Sequence, residues 1–239
     1  MNRIALMILR NILVVPGLFA KLSHYAKHTE AYSWQEKWDH IHHIMSRAIQ
    51  SGNVDLKVTG LENIPAEGGF MMYANHQGMF DVVAIAATVK PHLAAVLKKE
   101  LVDVPLLKQI RLCTHSYGMD REDVRQSLTV IQNVTEEVKK GRNYLIFPEG
   151  TRSKLGNQML DFHGGSFRCA TKSKCAILPV ALIDCFKVLD QKGSDPLTVQ
   201  LHYLPLIPYE EFAGLKATEV AALVKERIEA AIRTHTADN

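Results

Sequence analysis

Long uninterrupted apolar runs are missing from this 239-residue chain. Its most apolar stretch, Met1 to Ala20 (MNRIALMILRNILVVPGLFA), is broken by Arg3, Arg10 and Asn11 and then by Pro16-Gly17. A membrane-spanning helix needs about 20 consecutive apolar residues, so a clean span is not expected here. Arg10 also interrupts what would be the apolar region of a secretion signal, and Leu18-Phe19-Ala20 is a poor cleavage site. Cysteine is scarce: Cys113, Cys169, Cys175 and Cys185 have no C-x-x-C spacing. That argues against a disulfide framework or a zinc ribbon and suits reduced thiols. Charge of one sign is lacking too, since 28 Lys and Arg against 25 Asp and Glu leave a net +3. A dedicated nucleic-acid binder would be far more basic, so no nucleic-acid partner is expected and any basic site must be local.

Several motifs are also absent. There is no G-x-x-x-x-G-K-[ST] and no G-x-G-x-x-G, which removes the common nucleotide-binding loops. Gly164-Gly165-Ser166-Phe167-Arg168 misses the G-x-S-x-G nucleophile elbow at its last residue. His42-His43 is followed by Ile44, Met45, Ser46 and Arg47, so it is not the H-H-x-x-x-D form of condensing acyltransferases. The His24/His28 and His40/His43 pairs lack the acidic companion of a zinc-protease helix, and neither a metal nor a cofactor is expected.

What is present divides the chain unevenly. The first apolar run suits a kinked helix lying in a membrane interface, with Arg3, Arg10, Lys21 and Lys27 reaching toward anionic headgroups. A terminal helix packed on the domain is the alternative. Ser33-Trp34-Gln35-Glu36 has the capping-box form and starts a second helix running to about Gln50. Trp34, Trp38, Ile41, Met45 and Ile49 then share one face, as core packing or an interfacial belt would require. We therefore expect residues 1–52 to form a two-helix membrane-interface module and residues 53–239 a single domain.

From Val54 the pattern alternates. Strands are predicted at Val54–Val58, Gly69–Ala74, His92–Leu97, Asn143–Phe147, Cys175–Leu182 and Leu197–Leu204. Helices are predicted at Asp81–Val89, Glu122–Lys140 and Thr218–Arg233. The expected class is α/β, a mixed, mostly parallel sheet flanked by helices.

Chemistry-bearing residues gather at strand ends. In Asn75-His76-Gln77-Gly78-Met79-Phe80-Asp81, His76 and Asp81 would lie about 140° apart on a regular helix. A turn bent at Gly78 would bring them together, with Asp81 as N-cap of the next helix. An Asp on one imidazole nitrogen leaves the other free to take a proton. An isolated His beside a capping Asp is the alternative reading. Phe147-Pro148-Glu149-Gly150-Thr151-Arg152-Ser153-Lys154 follows a buried strand and presents a carboxylate, hydroxyls and cations where α/β folds bind ligands. Arg152 has the fork geometry for phosphate, although a Glu149–Arg152 ion pair on a surface turn would use the same residues. Lys98-Lys99-Glu100 and Arg121 are, alone, ordinary solvated charges.

Taken in order, NH-QGMF-D, KKEL, GMDR, FPEGTRS and Ile177-Leu178-Pro179-Val180-Ala181 resemble the glycerophosphate acyltransferase family of 1-acylglycerol-3-phosphate acyltransferases, over roughly residues 54 to 210. The pairing of H-x-x-x-x-D with FPEGTRS is what makes the resemblance specific, and the N-terminal apolar hairpin resembles the two-helix membrane module of bacterial members. The resemblance implies an acyltransferase that moves a fatty acyl group from acyl-CoA or acyl-carrier protein to the sn-2 hydroxyl of a lysophosphatidic acid, giving phosphatidic acid. It implies His76 as general base and Asp81 as its orienting partner. Arg121 would hold acceptor phosphate, with Lys98 or Lys99 adding a contact. Glu149, Gly150, Thr151 and Arg152 would shape the acceptor site, and Pro179 would support it or face the acyl donor. The implied partners are a lysophospholipid, an acyl thioester and the membrane lipid surface, at the cytoplasmic face of the cell membrane in a peripheral or monotopic manner. Two departures, Gly78 where many members have Ser and Thr114-His115-Ser116-Tyr117 in place of an apolar run, bear on the acceptor. Glycerol-3-phosphate or another lysophospholipid is the alternative acceptor, and a non-catalytic lipid-binding relative the alternative class.

Overall fold

The computed structural model describes residues 3–237. Met1 and Asn2 of the first apolar run, and Asp238 and Asn239, lie outside the described residues. The helices are α1 (Arg3–Arg10), α2 (Val15–Lys27), α3 (Trp34–Ser51), α4 (Phe80–Ala86), α5 (Leu107–Thr114), α6 (Val124–Lys139), α7 (Arg168–Ser173), α8 (Phe186–Leu189) and α9 (Ala217–Ala237). The strands are β1 (Val54–Thr59), β2 (Met71–Ala74), β3 (Ala94–Lys98), β4 (Tyr117–Met119), β5 (Tyr144–Ile146), β6 (Ile177–Ile183) and β7 (Leu197–Tyr203). They form one sheet in the order β1-β7-β6-β2-β5-β3-β4. Every pairing is parallel except β6 with β7. The carboxyl ends of β2 to β6 therefore share one edge, which is where an α/β sheet presents ligand-binding loops.

Strand alternation divides the core between the two faces. On β2, Met72 and Ala74 pack with α2, α3 and α4, while Met71 and Tyr73 pack with α6, α7 and α9. On β6, Leu178, Val180 and Leu182 face the first layer and Ile177, Ala181 and Ile183 the second. Successive side chains point to opposite faces of a strand, so these buried runs need helices on both sides. That explains why the central strands are almost uniformly apolar, as parallel strands covered on both faces are.

The N-terminal helices differ in part from expectation. The capping box at Ser33 forms, with Glu36 N donating to Ser33 Oγ (3.1 Å) and Ser33 N to Glu36 Oε2 (2.9 Å). Both tryptophans of α3 turn to the domain: Trp38 is buried and donates Nε1–H to Val89 O (3.0 Å), and Trp34 lies against the Arg142 guanidinium and the His115 ring. Core packing thus accounts for the stripe. The break in the first apolar run is not at Pro16-Gly17 but before it, at residues 11–14, where α1 and α2 meet at 89°. Pro16 sits in the first turn of α2, where its missing N–H would have no helical partner in any case. No single helix among the described residues is long and apolar enough to cross a membrane, although the bent α1–α2 pair has the length and composition to do so.

Two of the four cations expected at headgroups are used internally. Arg3 is buried and donates to Val188 O (3.1 Å), Asp195 O (2.8 Å) and the carbonyls of Gly52 and Asn53. Arg10 donates to Ser51 O (3.1 Å) and Asn53 Oδ1 (2.6 Å). A guanidinium can satisfy several carbonyls at once, so Arg3 fastens α1 to the end of α3 and to the loop before β7. Lys21 and Lys27 remain exposed.

β4, α5, α7 and α8 have no counterpart among the expected elements. β4 is three residues around Gly118, and its formation depends on tight packing, because a Cβ on Gly118 would run into the Val102 side chain. Pro179 lies inside β6, opposite Tyr73 of β2, where its carbonyl accepts from Leu204 N (3.0 Å). It supports the central sheet from within.

At the opposite end of the sheet, His202 of β7 is buried, between Thr59 Oγ1 on Nδ1 (2.8 Å) and Gln200 Oε1 on Nε2 (3.2 Å), with His235 of α9 stacked at 3.7 Å. These partners satisfy a neutral ring. Burial first, and then His235, push its pKa down to about 4 from an ordinary 6.5. Between those values the unfolded chain takes up a proton that the folded ring refuses, so stability falls as pH drops through this window. Thermal unfolding followed from pH 7 to 4 should show a steeper loss for the parent chain than for His202→Asn.

Candidate active site

The site begins where β2 ends. Asn75 is buried and makes both amide bonds to one residue of β6, donating to Leu182 O (2.9 Å) and accepting from Leu182 N (2.8 Å). Its side chain thus continues the sheet ladder and fixes the point at which the chain leaves it. The next residue is His76. Its Nδ1 lies 2.7 Å from Asp81 Oδ2, and the same oxygen accepts from Gln77 N (2.6 Å) and Gly78 N (3.0 Å). Asp81 is not the N-cap of α4 as expected: it sits inside the first turn and reaches back across the preceding one. The turn lets residues five apart meet, and the carboxylate in its centre holds the turn closed.

Asp81 is fully buried, and Oδ1 has no donor among the described residues. Burial raises its carboxyl above the ordinary value, and the hydrogen bonds from His76, Gly78 and Gln77 oppose that rise. A carboxylate only accepts, so the His76 nitrogen facing it carries the proton and Nε2 is left as the basic nitrogen. The His76 side chain retains 18% exposure and stacks on Phe147 at 4.1 Å with 21° between the rings.

The loop after β5 holds His76 by its backbone. Glu149 Oε1 accepts from His76 N (2.6 Å), Glu149 Oε2 accepts from Leu160 N (2.8 Å), and Ser153 N donates to His76 O (2.9 Å). Glu149 is 2% exposed and does not face an open site; burial raises its carboxyl above the usual carboxylate range. No Glu149–Arg152 ion pair forms. Arg152 instead gives Nη1 to Asp190 Oδ1 (3.0 Å), leaving the rest of its fork for a ligand. Gly150 has φ +71, a conformation that favours glycine, and Thr151 is exposed at the tip of the loop.

Gly78 acts through what it lacks. Its φ is not positive; a Cβ there would run into the Asp190 carboxylate and approach Phe186 Cα at 3.0 Å. Asp190 Oδ2 also accepts from Met79 N (3.3 Å). Asp190, Gln77 and Asn75 were missed by the sequence reasoning. Gln77 is buried and joins the His76 turn to two other segments, donating to Gly156 O (3.2 Å) and Asn157 Oδ1 (2.7 Å) and accepting from Cys185 N (3.0 Å). A pocket of about 430 Å³ opens here, with Gln77, Arg152, Phe186 and Asp190 in its wall.

The other cations stand farther along the same sheet edge. Lys98 ends β3 and pairs with Glu100 (3.1 Å), Lys99 pairs with Asp120 (2.9 Å), and Arg121 follows β4, exposed. All three are near the carboxyl ends of the neighbouring strands β3 and β4. Among the described residues no three His, Cys, Asp or Glu side chains converge as a metal site.

A family model described as Acyltransferase matches residues 55–183. The 1-acyl-sn-glycerol-3-phosphate acyltransferase of Saccharomyces cerevisiae is 31% identical over 153 residues, 63% of this chain and 49% of that protein. The protein of the same name from Helicobacter pylori is 30% identical over 142 residues, 59% of this chain and 60% of that one. In Escherichia coli the corresponding figures are 30% over 156 residues, 65% and 63%. The matched region thus spans from about half to just under two thirds of the length of these relatives. The crystal structure of the 1-acyl-sn-glycerophosphate acyltransferase PlsC from Thermotoga maritima shares the fold, with a TM-score of 0.75 at 22% identity, covering 97% of this chain and 98% of that one.

Glu149→Gln should test the backbone clamp. The amide turns an N–H toward one of two buried backbone N–H groups, leaving a donor unsatisfied at a cost of about 1–3 kcal/mol. A lower denaturation midpoint, with an unchanged m-value in urea, is the expected outcome.

Proposed function

The chain belongs to the Acyltransferase family, and from that premise we propose that it transfers a fatty acyl group from a thioester carrier to the sn-2 hydroxyl of a lysophosphatidic acid, giving phosphatidic acid. The observation that carries this reading is the His76–Asp81 pair at 2.7 Å, set on a sheet edge that also bears Lys98, Lys99, Arg121 and Arg152. The names of the relatives support the choice of acceptor.

The residues suit direct transfer. A thioester carbonyl is already activated, so an alcohol that loses its proton during attack needs no covalent enzyme intermediate. His76 Nε2 takes the hydroxyl proton as the oxygen bonds to the carbonyl carbon. The imidazolium is stabilised by Asp81, and its proton passes to the sulfur as the C–S bond breaks. The acceptor phosphate lies on the free side of the Arg152 fork, with Arg121 and Lys98 as further cations along the edge.

Charge on the tetrahedral oxygen needs donors. Gln77 N and Gly78 N are given to Asp81, Met79 N to Asp190 and Gly150 N to Phe147 O (3.1 Å). The start of α4 and Gly150 are therefore poor candidates, and the donor is sought at Thr151 and Arg152. The carrier is acyl-CoA or acyl-carrier protein. The acceptor is supplied by a lipid surface, to which the exposed Ile8, Leu9, Ile12 and Leu13 of the α1–α2 elbow give an apolar contact; the cytoplasmic face of the cell membrane fits the reduced, buried cysteines.

His76→Ala should lower acyl transfer by at least about 10²-fold, the usual contribution of a positioned base, while the protein still folds; near-normal product from labelled donor would remove His76 from the chemistry. Arg152→Ala should raise the acceptor KM several-fold while kcat changes little. An unchanged KM would take the phosphate from Arg152.

A further inference from the structure

The residues after β3, Lys98 to Arg111 (KKELVDVPLLKQIR), contain a combination that the proposed chemistry does not use. Leu101, Val104 and Leu106 are all exposed. Leu106 is moreover held at φ +74 and ψ −54, where a bulky residue is a genuine outlier and glycine would be the ordinary choice. Its N–H is held by Gln109 Oε1 (2.8 Å), and its carbonyl accepts from Ile110 N (3.0 Å). The chain thus carries backbone strain to keep a large apolar side chain in contact with water. Such outliers mark positions where the strained side chain has a task.

The surroundings say what would cover it. Lys98, Lys99 and Lys108 are paired with Glu100, Asp120 and Asp103, so among the described residues Arg111 and Arg121 are the cations of this region that no salt bridge neutralises. Exposed apolar residues also stand on this edge: Met79 lies within the turn after β2, and Val124 follows β4 and Arg121. The segment also leads into α5, which packs beside α2. α2 runs antiparallel to α3, with Lys37 on Thr29 O (2.9 Å), His40 on Leu18 O (3.0 Å) and Arg47 on Asn11 Oδ1 (3.0 Å). α5 also runs against α3, its end at His115 lying on Trp34. α2 and α5 therefore point the same way. Cys113 Sγ meets Leu22 O (3.8 Å), and the starts of α2 and α5 lie on the same side of that contact.

We propose that Leu101, Val104 and Leu106 form a second membrane contact, inserting into the interface of an anionic bilayer alongside the α1–α2 elbow and turning the carboxyl edge of the sheet toward the lipid. This deepens the reading of the site as one that acts on a lipid, and rests on it. The elbow alone leaves the domain free to swing about one attachment. A second contact fixes its tilt, with Lys98, Lys99 and Arg121 at headgroup depth, where cations meet lipid phosphate.

The test uses the full chain and phosphatidylcholine vesicles with and without phosphatidylglycerol. All four native cysteines are buried, so an environment-sensitive fluorophore on Val104→Cys reports that position. Its emission should shift to the blue and be quenched by brominated lipid when the protein binds, more strongly with phosphatidylglycerol. Leu101→Ser with Val104→Ser and Leu106→Gly should weaken vesicle binding by about tenfold or more, while transfer to a water-soluble short-chain lysophosphatidic acid without vesicles stays at the parent rate. Leu106→Gly alone should weaken binding without lowering the unfolding temperature, whereas a merely structural Leu106 would do the reverse. A label that stays in water on vesicle-bound protein, or one protected by acyl-carrier protein but not by vesicles, overturns the proposal. Absence of transfer to the soluble acceptor by the parent chain overturns the proposed reaction instead, and the label still decides the contact.

Discussion

One carboxylate oxygen, Asp81 Oδ2, takes three N–H groups from three consecutive residues, His76, Gln77 and Gly78. It lies in the buried interior, where an unpaired charge is expensive and a satisfied one is strongly directional. The oxygen therefore does two things at once. It closes the turn between β2 and α4, and it fixes which imidazole nitrogen carries the proton. If it is lost, two backbone amides and the histidine lose a partner together, so the local fold and the orientation of the His76 ring cannot be separated.

The second motif completes this arrangement through the backbone. β2 and β5 are parallel neighbours, and the loops at their carboxyl ends meet for that reason. Glu149 and Ser153 then bond the N–H and the carbonyl of His76. Glu149, in a loop rich in polar residues, is an internal fastener, and Arg152 three residues on turns to Asp190. The Arg152–Asp190 pair is partly exposed, so its own contribution to stability is small. Its effect is to aim a guanidinium. Gly78 belongs to the same arrangement, because a side chain there would displace Asp190.

Polarity is distributed with a direction. Charged and exposed apolar side chains both gather on the sheet edge that carries the His76 turn, and the strained Leu106 lies there too. A soluble small-molecule site would ordinarily bury its apolar surface in a concave pocket. Here apolar groups stand outward beside cations, as the proposed lipid contact would require.

The sequence by itself determined the class of fold and the identity of the chemical groups, because both depend on local periodicity and on residue type. Alternating strands and amphipathic helices from Val54 onward, the capping box at Ser33 and the H-x-x-x-x-D and FPEGTRS strings were all legible without coordinates. Tertiary structure decided what short or long-range contacts control. β4 has too few residues to show a period and exists by pairing with β3. Arg3 looks like a headgroup cation until four distant carbonyls are found around it. Glu149 and Gln77 have side chains that are ordinary in composition, and only the adjacency of β2, β5 and β6 makes them fasteners of the site. Which atom each polar group meets is a property of the packed sheet, since hydrogen bonds act over about 3 Å while the partners lie tens of residues apart.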